Sequence, residues 1–151
     1  MFICLIFLTV GCGQAEEQAK NQTCFLTIDG TTLLSHKQEL AEEKRELVPE
    51  DGILLERTEV SFADGESVFD VLKRVTREQK LHMEYSMTPV YQTAYIEAIG
   101  NLYDFDCGEL SGWTYSVNGE FPSVGCSQCL LEQGDDIVFW YTCERGKDLK
   151  P

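Results

Sequence analysis

Basic residues are scarce in this chain: 12 Lys and Arg stand against 26 Asp and Glu, a formal net charge of −14. Nucleic-acid binding draws its affinity from clustered Lys and Arg set against phosphate, so this balance argues against a DNA or RNA partner. It argues equally against direct adsorption to an anionic lipid surface. Histidine is scarcer still, at two residues, His36 and His82. Acid–base catalysis by imidazole therefore has little to draw on. No phosphate-cradling glycine loop is present, and in Gly108-Glu109-Leu110-Ser111-Gly112 the serine is one place away from nucleophile-elbow spacing. Internal repeats and low-complexity stretches are also missing. Together these absences point away from an enzyme.

What is present suits one globular domain. The chain has 151 residues, 43% hydrophobic and 11% aromatic, which is enough for a single core. Residues 1–11, MFICLIFLTVG, are apolar throughout and too short to cross a bilayer as a helix, so they read as a signal-peptide core. Polar sequence follows at once after Cys12. Leu8-Thr9-Val10-Gly11-Cys12 resembles the bacterial lipobox, whose cysteine is lipidated and becomes the mature N-terminus. The match departs at Thr9, where Leu is usual, and no Lys or Arg precedes the apolar run, which points to a start codon further upstream; an ordinary cleaved signal or a short hydrophobic tail is the alternative. The lipobox resemblance implies lipidation at Cys12 and a tether over 12–22, with a folded domain expected over 23–145 and a tail over 146–151. It places the protein at a bacterial cell surface, on the extracellular side, with the membrane met only through a lipid anchor.

Along the chain, TCFLTID alternates from Thr23 and reads as a strand, with Cys24, Leu26 and Ile28 on one side. KQELAEEKREL, 37–47, is helix-forming by propensity but offers only Leu40 and Leu47 as a seam, so any helix there lies on the surface. Pro49-Glu50-Asp51-Gly52 reads as a turn into an extended ILLERTEVSF. The clearest helix spans about 66–79: Ser67 and Asp70 fit a capping box, and Val68, Val71, Leu72 and Val75 recur at helical spacing. LHMEYS and AYIEAIG follow as short strands separated by a loop around Pro89. GWTYSV alternates into Asn118-Gly119, the strongest two-residue hairpin signal, because both turn positions need positive φ. IVFWYTC, apolar on both faces, reads as a central strand. The expected fold class is α+β: a β-grasp-like mixed sheet with its first and last strands adjacent and parallel, covered by the one main helix.

"GESVFDVLKRV" (65–75), "YIEAIGNLYDFDCGELSGWTYSVNG" (95–119) and "LLEQGDDIVFWYTC" (130–143) resemble the transcobalamin-like C-terminal domain, the β-grasp domain of transcobalamin and intrinsic factor. The most specific element is Ser111-Gly112-Trp113-x-Tyr115-x-Val117-Asn118-Gly119 with Gly134-Asp135-Asp136-Ile137 after it. The resemblance covers roughly 60–145 and implies a non-enzymatic, ligand-binding module in a stand-alone bacterial lipoprotein form. The implied ligand is a corrinoid, a cobalamin-like small molecule. Ligand-side residues are then expected at Trp113, Tyr115, Asn118 and Tyr103, although a face bearing Trp113 and Tyr115 serves equally well as core. In the vertebrate carriers a large helical domain closes the other side of the corrin ring, and this chain has no such part. About 200 Å² of apolar cover contributes on the order of 5 kcal/mol, against about 12 for a nanomolar complex. A partner, either a transporter or a second binding protein, is expected to complete the site.

Seven cysteines less Cys4 and Cys12 leave Cys24, Cys107, Cys126, Cys129 and Cys143 in the folded part. An odd count outside the cytoplasm leaves one thiol over from any set of disulfides. Cys143, at the end of the last strand, is expected near the loops that carry Cys107 and Cys126-x-x-Cys129. Three readings are open: one or two disulfides; a zinc or iron site built from Cys107, Cys126 and Cys143 with Cys129 or Cys24; or free thiols. A metal-binding structural module or a partner-docking domain is therefore the alternative to ligand capture.

Overall fold

The computed structural model of the chain describes residues 22–150. The apolar leader, Cys12 and all of the tether but Gln22 lie outside the described residues. Strand β1 (Gln22–Asp29) is followed by two short helices, α1 (Leu33–His36) and α2 (Glu42–Arg45), and then by β2 (Ile53–Phe62). The main helix, α3 (Val68–Glu78), precedes β3 (Met83–Thr88), β4 (Thr93–Ile99), β5 (Leu102–Tyr103), β6 (Gly112–Val117) and β7 (Asp136–Thr142).

Four strands form a mixed sheet in the order β2-β1-β7-β6. β1 and β7 run parallel, in register from Phe25 beside Asp136 to Asp29 beside Trp140. Parallel neighbours need a long crossover, and here nearly the whole chain supplies it. The alternation in β1 survives intact: Cys24, Leu26 and Ile28 are fully buried and Phe25 and Thr27 partly so.

α3 begins as its sequence demands. Ser67 Oγ accepts from the Asp70 backbone N–H, and Asp70 Oδ2 accepts in return from the Ser67 N–H. Its apolar stripe of Val68, Val71, Leu72 and Val75 is buried against Leu26, Ile28, Ile137 and Phe139. Each fully buried side chain of that size contributes about 1.5–3 kcal/mol relative to exposure. A smaller cluster joins Leu33, Leu40, Val48, Leu102, Cys107, Tyr141 and Cys143. One face of β7 feeds both clusters, Ile137 and Phe139 the larger, Tyr141 and, just past the strand, Cys143 the smaller.

Three expectations need correction. The described residues form two sheets, because β3, β4 and β5 pair only among themselves. The 37–47 segment is not one helix; α2 covers only 42–45. Leu40 and Leu47 are too far apart to make a continuous seam. The chain instead sinks Leu40 and Val48 as separate anchors and leaves Leu47 at the surface. The Asn118-Gly119 turn forms, with φ of 53° and 79°, yet no strand follows it. After Glu120 the chain leaves the sheet, and β6 pairs instead with β7.

Candidate functional site

A cleft of about 660 Å³ opens beside β6. Its walls come from the 105–114 segment, from Tyr95 and Phe121, and from Thr142 with the 145–147 turn after β7. Four of its lining residues are large apolar side chains left open to water: Phe105 is 62% exposed, Leu110 46%, Phe121 44% and Tyr95 42%. Apolar groups gathered in one concavity with a few polar partners are the usual make-up of a small-molecule site. The polar partners here are Glu109, Ser111, Thr114 and Thr142, with Arg145 and Lys147 at the rim. Two cations at one mouth stand out in a chain with so few.

The loop that carries Phe105 is held in shape by hydrogen bonds. Asp106 Oδ2 accepts from the Tyr103 N–H at 2.7 Å and meets Lys44 Nζ at 3.2 Å. Ser111 Oγ donates to the Gly108 carbonyl at 2.8 Å and accepts from the Cys107 N–H at 3.0 Å. Phe105 itself sits at φ 67° and Arg145 at φ 51°, both in the left-handed region that non-glycine residues seldom occupy. The Phe105 N–H donates to the Ser111 carbonyl at 3.2 Å and the Arg145 N–H to the Leu110 carbonyl at 3.0 Å, which helps hold both residues in this conformation. Tyr95 Oη donates to Asp104 at 2.8 Å, and burial, that bond and nearby carboxylates push its phenol up to about 12.

Of the residues expected at a ligand, Trp113 lines the cleft. Its Nε1–H donates to the Leu102 carbonyl at 2.8 Å and its ring meets Tyr141 edge-on, with centroids 5.1 Å apart. Both contacts fix the indole in place. The other three lie elsewhere. Tyr115 is buried, stacks on Phe139 at 5.7 Å and donates its hydroxyl to the Val124 carbonyl. Tyr103 donates to Glu84, bonds His82 and lies under Lys44. Asn118 ties the turn after β6 to the start of β7. Tyr95, Phe105, Leu110, Phe121, Arg145 and Lys147 escaped the sequence reading. For Phe105, Leu110 and Phe121 the one signal is apolar bulk inside polar, turn-rich stretches, as in Asp104-Phe105-Asp106; Tyr95, Arg145 and Lys147 carry none.

All five described cysteines are unpaired thiols. The four-cysteine metal site is not assembled, because the thiols divide between the two cores. Cys107 and Cys143 meet in the smaller one, with sulfurs 3.3 Å apart. Cys24, Cys126 and Cys129 belong to the larger one. The Cys126-x-x-Cys129 loop works through its backbone: the Cys129 carbonyl accepts from the Val68 N–H at 2.9 Å and the Cys126 carbonyl from the Phe69 N–H at 3.1 Å. With Ser67 serving Asp70, the first three N–H groups of α3 are satisfied. Burial pushes the Cys24 and Cys126 thiols up to about 11, the reverse of what a reactive thiolate requires. Burial also raises Cys107 and Cys143 above the usual thiol range.

The family model described as a domain of unknown function, DUF4430, matches residues 65–143. No curated protein matches the chain. Among solved structures, haptocorrin in complex with Cbi is similar with a TM-score of 0.57 and 12% identity, over 82% of this chain and 25% of that one. This chain therefore spans about a quarter of haptocorrin's length, and at that identity the likeness is one of fold. A structure described as "a putative metal binding protein from Ruminococcus gnavus" has a TM-score of 0.47 and 14% identity, over 81% of this chain and 97% of that one.

Proposed function

This chain belongs to the DUF4430 domain family, and from that footing we propose that it is a non-catalytic module that captures a small-molecule ligand in the cleft beside β6. The observation that carries this reading is the cluster of Phe105, Leu110, Phe121 and Tyr95, open to water around the anchored Trp113. Exposed apolar side chains scattered singly are ordinary, but a contiguous patch of them marks a surface built to be covered.

The ligand class we favour is a corrinoid. A broad, flat face with amide groups at its edge suits apolar cleft walls with Arg145 and Lys147 at the mouth. The resemblance to the transcobalamin C-terminal domain points the same way, as does the fold shared with haptocorrin. The parallel β1–β7 pair, with α3 laid across the sheet, suits the β-grasp arrangement that this resemblance implies. One cleft covers one side of such a ligand, so binding by this chain alone is weak and a partner closes the other face. Lipidation at Cys12 would hold the module at the outer surface of a bacterial membrane, where capture and hand-over to a transporter make physical sense.

Titration with cobalamin and with cobinamide, followed by the corrin absorption and by quenching of tryptophan fluorescence in a Trp140→Phe background that leaves Trp113 as the reporter, tests the ligand. Saturation at micromolar to millimolar ligand, weakened by Phe105→Ala, is the expected result. Absence of any change at millimolar corrinoid rejects that ligand class.

A further inference from the structure

Beneath the cleft the chain brings together a second group of side chains. His36 closes α1, Cys107 lies in the loop after β5, and Cys143 follows the last residue of β7. One ligand atom from each lies within 4.8 Å of the other two. Both cysteines are buried and His36 is partly so. Glu39 stands beside them: Oε1 bonds His36 Nδ1 at 2.8 Å, and Oε2 comes within 3.9 Å of where a side chain on Gly108 would begin.

We propose that His36, Cys107 and Cys143 are the protein ligands of a single borderline-soft divalent cation, of which zinc is the type, with Glu39 orienting the imidazole from behind. Three features support the assignment. In a tetrahedral zinc site, metal–sulfur bonds of about 2.3 Å place two thiolates a little under 4 Å apart. The Cys107 and Cys143 sulfurs, at 3.3 Å, reach that separation by a small rotation of either side chain. The donor set is also selective, since two sulfurs and an imidazole suit zinc far better than magnesium or calcium.

Second, the charges close: two thiolates and a neutral imidazole balance a dication. Binding displaces two thiol protons and needs no redox step. Third, a carboxylate on the other ring nitrogen is the partner that a metal-bound histidine ordinarily has, and with Glu39 Oε1 2.8 Å from His36 Nδ1 it is Nε2 that would face the cation. Three protein ligands leave a fourth position for water.

Such a cation would tie α1 to the 105–111 loop and to the end of β7. The residues just past Cys107 and Cys143 line the cleft, so the site would set the spacing of its walls. The assignment stands on these four residues and not on what occupies the cleft.

The test uses the full chain, purified without oxygen, with its thiols reduced, stripped by chelator and then titrated with zinc and with cobalt(II). One cation per chain is expected, with a thiolate-to-cobalt charge-transfer band and protection of Cys107 and Cys143 from alkylation. Glu39→Gln should weaken zinc binding by about 10- to 100-fold and His36→Gln by more than that, while Cys129→Ser leaves it unchanged. Buried Cys107→Ser is at risk of misfolding, so the partly exposed His36 and Glu39 carry the test. Three results overturn the proposal: no cation held at micromolar zinc, a Cys107–Cys143 disulfide in the anaerobic protein, or zinc whose affinity His36→Gln does not alter. Corrinoid titrations read separately, so failure of the cleft reading would leave this outcome intact.

Discussion

Asn118 and Asp136 hold one another by two hydrogen bonds: the Asn118 N–H donates to the Asp136 carbonyl at 2.8 Å, and the Asp136 N–H donates to Asn118 Oδ1 at 2.9 Å. The Asn118 amide also donates to Asp135 Oδ1 at 2.8 Å. The Val117-Asn118-Gly119 and Gly134-Asp135-Asp136 motifs are therefore halves of one joint, which sets β6 against β7. Asn118 keeps φ 53° to reach both partners.

Removing that joint separates side-chain bonding from backbone strain. Asn118→Gly permits the same φ but deletes two side-chain bonds, and should cost about 1–3 kcal/mol in urea unfolding. Gly119→Ala keeps the bonds but strains a residue at φ 79°, for about 1–2 kcal/mol. Equal stability of Asn118→Gly and the native protein would show that the joint contributes nothing.

The α3 cap carries a pH signature. Hydrogen bonding from Ser67 is the largest influence on Asp70 and holds its carboxyl below the usual range. A carboxylate whose folded-state value is depressed stabilises the fold above the unfolded value, and that contribution is lost as pH falls through the folded one. Stability should therefore drop on acidification below about pH 4, and Asp70→Asn should flatten part of the drop. At neutral pH, Ser67→Ala should cost about 0.5–2 kcal/mol. Thermal melts of the two variants at pH 7 and pH 3 decide it.

Cleft and stability should come apart at Phe105. Its ring is 62% exposed and its backbone sits at φ 67°. Phe105→Gly relieves the left-handed strain while adding chain entropy, so the net change in stability should stay under about 1 kcal/mol. Ligand or hydrophobic-dye binding should fall several-fold all the same. A large loss of stability would assign the ring to the core instead.

Thiol reactivity should rank by burial. Of the five described cysteines only Cys129 is not fully buried, so native-state alkylation should reach it first. Cys24 and Cys126, with thiols pushed up to about 11, should react only as the fold opens. Rapid labelling of Cys126 would show its thiol open to solvent instead of shut in the core.

Much of the frame is written locally. The alternation of Cys24, Leu26 and Ile28, the Ser67–Asp70 capping box and the stripe on α3 each arise from neighbours a few residues apart, and all appear where the sequence places them. The limits of β2 and β6 follow their apolar and turn residues for the same reason. Local pattern fails where burial is sparse, as at Leu40 and Leu47, where two apolar residues spaced by seven could not hold one helix against the core.

The sequence by itself determined these elements and the set of residue types available, because backbone preference and apolar period act over short stretches. Only the tertiary structure decided which of them meet. Of the loops expected near Cys143 it brought only the one carrying Cys107 to it and sent Cys126 and Cys129 to cap α3, because β7 carries one end into each core. It also gathered Phe105, Leu110, Phe121 and Arg145 around Trp113, since long-range strand pairing brings together loops whose spacing along the chain says nothing of their meeting.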